Sequence, residues 1–60
     1  MTRREVNLSL KGYLYIKGHD SNEDAKEHAK RMRQDGYRAT VLTEERNGIY
    51  YFSVWAKKVN

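Results

Sequence analysis

Tyr37-Arg38-Ala39-Thr40-Val41-Leu42-Thr43-Glu44-Glu45-Arg46-Asn47-Gly48-Ile49-Tyr50-Tyr51-Phe52-Ser53-Val54-Trp55-Ala56-Lys57 is the stretch on which the fold turns. Asn47-Gly48 is the dipeptide best suited to a two-residue type I′ turn, because both central residues of that turn need positive φ. The flanking segments are rich in β-branched and aromatic residues, so strands are expected over about 37–46 and 49–57. A two-residue turn fixes the register. Val41 falls opposite Val54, Ala39 opposite Ala56 and Thr43 opposite Phe52 on one face, which is the expected core face. Thr40 opposite Trp55 and Glu44 opposite Tyr51 then lie on the other face.

Upstream of the hairpin, Ser21 followed by Glu23 and Asp24 reads as an N-cap with acidic residues in the first helical turn. Ala25, His28, Ala29 and Met32 recur at three- and four-residue spacing, and Gly36 stands where a C′ glycine closes a helix. A helix over about 22–35 is expected. Its buried stripe is mostly alanine, which lets it lie close on a sheet, so the larger core residues must come from the strands. Further upstream, residues 6–17 alternate, with Val6, Leu8, Leu10, Gly12, Leu14 and Ile16 on one face. That pattern reads as a long first strand, with Gly12 marking a bulge or Lys11-Gly12 a turn that splits it; the bulge is the favoured reading. The fold class that follows is α+β: a single β-α-β-β domain with one helix packed on one face of a three-stranded sheet. A right-handed crossover makes the first two strands parallel, and the apolar third strand lies between them, giving a split β-α-β arrangement of order 1-3-2.

Sixty residues suffice for one core, and a domain of this size buries only about 60% of the surface its unfolded chain exposes. No cysteine is present to staple the fold, so stability is expected to be marginal and self-association is a natural supplement. Lys and Arg outnumber Asp and Glu by 12 to 8, for a formal net charge of +4. Such an excess suits a polyanionic partner without requiring one. No stretch approaches the roughly 18 apolar residues of a membrane span, and no signal-peptide pattern follows Met1, so a cytoplasmic location is the default expectation.

One helix covers one face of a sheet, which leaves the other face as the candidate site. By alternation that face carries Lys11, Tyr13, Tyr15 and Lys17 from the first strand, Arg38 from the second, and Tyr51, Trp55 and Lys57 from the third. Aromatic rings on an open sheet can stack on bases while Lys and Arg neutralise phosphates, so nucleic acid is the first expected partner. The same rings could bury against a second copy in a homodimer, or stack on sugars, or simply pair across strands. The mixed charge of Lys26, Lys30, Arg31 and Arg33 with Glu23, Glu27 and Asp35 reads as a solvated helix surface. His19, Asp20, Asp24 and His28 are close in sequence, but without cysteine they read as capping and core-edge residues, and no metal ligand is assigned.

No catalytic residue is assigned either. The serines have no triad-like spacing and no glycine-rich phosphate loop occurs, so the expected protein is not an enzyme and needs no cofactor. Ser21-Asn22-Glu23-Asp24-Ala25 together with Gly36-Tyr37-Arg38-Ala39-Thr40-Val41 resembles the first half of SPOR domains, the peptidoglycan-binding repeats. The resemblance spans about 40 residues of the family's strand-helix-strand-strand order and implies glycan binding on the open face. The second helix and fourth strand of that family are missing here. The leading expectation is a small binding module for nucleic acid, with a homodimeric structural or protein-interaction role as the alternative, through that face or the long first strand.

Overall fold

The structure is a computed structural model and describes residues 2–59. In chain order its elements are α1 (Arg3–Leu10), β1 (Leu14–His19), α2 (Asn22–Gln34), β2 (Tyr37–Arg46) and β3 (Ile49–Lys58). The sheet has the order β1-β3-β2, with β3 antiparallel to both neighbours. The α+β class and the strand order are those read from the sequence, with two helices in place of one.

The hairpin register follows from its turn. Asn47 and Gly48 take φ of 54° and 79°, and the pairs Val41 with Val54, Ala39 with Ala56, Thr43 with Phe52, Thr40 with Trp55 and Glu44 with Tyr51 all form. On the first face, α2 lays Ala25 and Ala29 against Ala39, Val54 and Ala56, with Met32, Tyr37, Val41 and Phe52 packed around them. The Ser21 hydroxyl accepts a hydrogen bond from the Asp24 N–H at 3.1 Å, which caps the start of α2.

The first strand is shorter than its alternation suggests. Residues 3–10 form α1, because the local chemistry at both ends favours a helix. Thr2 and Glu5 make a reciprocal capping box: the Glu5 N–H donates to Thr2 Oγ1 at 3.2 Å, and the Thr2 N–H donates to Glu5 Oε1 at 3.0 Å. At the other end the Tyr13 N–H donates to the Leu8 carbonyl and the Gly12 N–H to the Ser9 carbonyl, each at 3.0 Å. This is a Schellman closure, and Gly12 supplies its left-handed residue with φ of 91°. Gly12 is therefore a C′ glycine, and the bulge lies elsewhere, between Tyr15 and Lys17. Alternation at 6, 8 and 10 does not become strand pairing with β3, because Leu14 already pairs with Ala56 and residues further upstream would face positions beyond Lys58, where β3 ends. Val6, Leu10, Leu14 and Ile16, expected in the core, are exposed instead.

The second face is covered as well. Leu42 and Trp55 lie on the side away from α2, yet Trp55 is only 3% exposed and Leu42 is buried. Hydrogen bonds hold the α1 segment across this face at both ends. Thr2 Oγ1 donates to Glu44 Oε1 at 2.9 Å, Arg4 donates to the Thr43 carbonyl at 3.3 Å, and Lys57 Nζ donates to the Lys11 carbonyl at 3.0 Å. From the α2 side, the Arg33 guanidinium donates to the Ala39 carbonyl through Nε at 3.1 Å and Nη2 at 2.8 Å. Ala39 and Thr43 have the same parity on the edge strand β2, so each helix sends one arginine to that edge.

Candidate functional site

The residues expected on one open face are distributed by the structure into three settings. Trp55 is in none of them as a free surface. Its indole N–H donates to Ser53 Oγ at 3.0 Å, its ring meets Tyr15 edge-on with centroids 5.6 Å apart, and it is almost wholly buried. A buried, hydrogen-bonded indole of this kind holds a layer together and has no face left for a base. The assignment of Trp55 as a stacking residue is thus corrected by its burial.

The first setting is at the end of the second face where α1 finishes. Lys57 Nζ sits 5.0 Å from the centroid of the half-buried Tyr13 ring while bonding the Lys11 carbonyl. Arg38 is opposite Lys57 in the register and is exposed, as is Lys11. The local reason for this gathering is the Schellman turn, which reverses the chain so that Lys11 and Tyr13 meet the last residues of β3. Carbonyls at a helix C-terminus carry partial negative charge, which favours an ammonium group there.

The second setting is at the opposite end of the same face. A recess of about 340 Å³ is lined by Glu5, Tyr15, Glu44, Arg46, Tyr51 and Ser53, among others. Tyr15 and Tyr51 are about half exposed. The Tyr15 hydroxyl passes over Gly18 so closely that a Cβ there would come within 2.9 Å of it, a contact that the exposed Tyr15 side chain would have to move to relieve. The Glu5 carboxyl is held below the usual carboxylate range, first by the hydrogen bond from the Thr2 backbone and next by that from the Thr2 side chain. With Glu44 also bound to Thr2, and Asp20 and Glu45 in the same lining, this end carries four carboxylates beside Arg46 where alternation alone suggested aromatics among cations.

The third setting is on the other side of the sheet. The bulge at Ile16 puts Lys17 opposite Val54, on the α2 face, so Lys17 leaves the set to which alternation assigned it. There it lines a second recess with His19, Asp24, Glu27, His28 and Arg31. His19 Nε2 and His28 Nδ1 are 2.9 Å apart, with the rings at 79° and centroids 5.1 Å apart. The two nitrogens point at each other, the geometry of one shared N–H···N hydrogen bond. Desolvation lowers the His28 pKa from its ordinary value, and His19, Lys17 and Arg31 lower it further. Asp20 faces the first recess instead. Among the described residues no group of three or more His, Cys, Asp or Glu is arranged to hold a metal ion.

Sequence reasoning therefore reached Lys11, Tyr13, Arg38 and Lys57 as neighbours, and separated poorly the rest. The signal for α1 was present as Thr2-Arg3-Arg4-Glu5, a capping-box pattern, followed by Gly12 two residues beyond the last helical one. Among the described residues no helix is long and apolar enough to cross a membrane. Comparison with known families, with curated proteins and with solved structures gave no match to this chain, so the resemblance to SPOR domains over residues 21–41 finds no support there.

Proposed function

We propose that this protein is a non-enzymatic nucleic-acid-binding module that grips phosphates at the basic end of the sheet, through Lys11, Arg38 and Lys57 with Tyr13 between them. The observation that supports the reading is the separation of charge along the second face. Three cations gather where α1 ends, while at the far end Glu5, Asp20, Glu44 and Glu45 outnumber Arg46. A backbone running past the basic end meets cations without meeting these carboxylates. The net charge of +4 favours approach of a polyanion at long range.

This mode differs from stacking on an open aromatic sheet. Phosphate contacts give affinity with little sequence preference, and each neutralised phosphate releases a counterion. With about three contacts, log K against log salt for a single strand should slope near −2, using a factor of ~0.7 per contact. Anisotropy of a labelled single-stranded RNA titrated across a salt series measures this. Arg38→Ala and Lys57→Ala are each expected to weaken binding similarly for unrelated sequences and to reduce the slope. Binding that ignores salt, or that neither substitution affects, refutes the reading. Trp55 emission should stay nearly constant on binding, because its ring is covered.

A further inference from the structure

The cations at the basic end have a neighbour on the outer rim of β2 that belongs to neither sheet face by alternation. Arg33 projects from the last turn of α2, and its guanidinium holds the Ala39 carbonyl through Nε at 3.1 Å and Nη2 at 2.8 Å. Ala39 directly follows Arg38, Arg38 stands opposite Lys57, and Lys57 Nζ bonds the Lys11 carbonyl. These links run without a gap from the end of α1 across β3 and β2 to the rim: Lys11, Lys57, Arg38, Arg33. The row lies across the strands, whereas Glu5, Asp20, Glu44 and Glu45 are at the other end of them. Asp35, at the C-cap of α2, is the one carboxylate between Arg33 and Arg38 in sequence.

We propose that Arg33 is a fourth phosphate-binding residue, and that a single nucleic-acid strand crosses the end of the sheet transversely and leaves over the β2 rim. This rests on the nucleic-acid reading above and gives the bound strand its direction. A guanidinium presents its N–H donors in a planar fork. The bond to Ala39 takes one side of that fork, Nε with Nη2, and leaves the Nη1–Nη2 side, which has the geometry to meet two phosphate oxygens at once. Arg33 is exposed, so a backbone can reach it. Its anchorage contributes as well as its charge. A guanidinium already fixed along one side loses less rotamer freedom on binding than an unanchored lysine does. One row of cations suits one backbone, and the row ends at Arg33 because β2 is the edge strand.

Anisotropy of a labelled single-stranded RNA across a salt series, with the full chain, tests the proposal. A fourth contact steepens the slope of log K against log salt from near −2 to near −3, at ~0.7 per contact. Arg33→Ala is expected to return the slope by about 0.7 and to weaken binding roughly tenfold. Arg33→Lys should keep the slope and still bind less tightly, because an ammonium cannot hold a carbonyl and a phosphate on two sides of a planar fork. Arg46→Ala, an equal change of charge at the far end, should leave the slope unchanged. Circular dichroism identifies a variant that fails to fold. The side-chain N–H resonances of Arg33 in the unsubstituted protein are the independent measurement: its Nη signals should shift on adding RNA while its Nε–H stays in place. Arg33 variants that bind like the unsubstituted protein while Arg38→Ala and Lys57→Ala bind more weakly, or Nη signals indifferent to RNA, would overturn this inference and leave the three-cation reading standing. An absence of salt-dependent binding would overturn both.

Discussion

Gly12 shows how one residue decides between two readings of its neighbourhood. Inside a strand its substitution by alanine would be mild or even favourable; at φ of 91° it sits where an L side chain is strained. Space is not the obstacle, since a Cβ would meet nothing closer than the Lys57 Cδ at 3.8 Å. Gly12→Ala is thus expected to lower stability by about 1 kcal/mol through backbone conformation alone, measured as a fall in the urea midpoint with an unchanged slope. An unchanged or raised midpoint would favour the strand. The same residue marks what the sequence could convey. Asn47-Gly48 was decisive because one turn type fits it and its register then follows, whereas Lys11-Gly12 fits a bulge, a split or a helix end equally well. Only the capping box at Thr2 and Glu5 distinguishes among these, and the period-2 alternation of Val6, Leu8 and Leu10 outweighs it on a first reading.

At the scale of elements, the link between β1 and α2 is a pair of histidines. Both imidazoles cannot be charged while sharing one hydrogen bond, and Lys17 and Arg31 add repulsion, opposed by Asp24 and Glu27. The folded His28 pKa lies below its ordinary 6.5, so near and below that value the unfolded chain binds more protons than the folded one. Stability from this group is therefore full above about pH 6.5 and is lost as pH falls below it. The urea midpoint should drop between about pH 7.5 and pH 5, and His28→Gln should reduce that drop. An equal drop in the variant would assign the effect to other groups. This pairing was hidden from the sequence because His19 changes face through a bulge that alternation cannot register. His28, by contrast, was correctly placed on the inner side of α2.

The whole molecule is a thin slab, with extents of 38 × 25 × 10 Å. Its core is made of alanines and small strand residues, and Val54 is the largest side chain buried completely. A core of this size rarely supplies more than about 3–5 kcal/mol. Val54→Ala should remove roughly 2 kcal/mol of it, leaving a protein largely unfolded at modest urea concentration. A loss of only a few tenths would mean that the stability resides elsewhere. The core face was legible because its residues are set by register. The second face was not, because alternation predicts which side chains share a face and says nothing about a helix that crosses it from outside the sheet. Trp55 has the same register partner in both readings and the opposite environment.

The two arginines that reach β2 have a bearing on how this protein can assemble. Arg33 occupies the Ala39 carbonyl and Arg4 the Thr43 carbonyl, so a strand arriving at that edge must displace two charged donors, one from each helix. Among the described residues, no side chain bonds the backbone of the β1 edge in this way. Assembly through a single unguarded side terminates after one partner, whereas two open sides would permit end-to-end growth into fibrils. Replacing both arginines would leave the β2 edge open to a further strand.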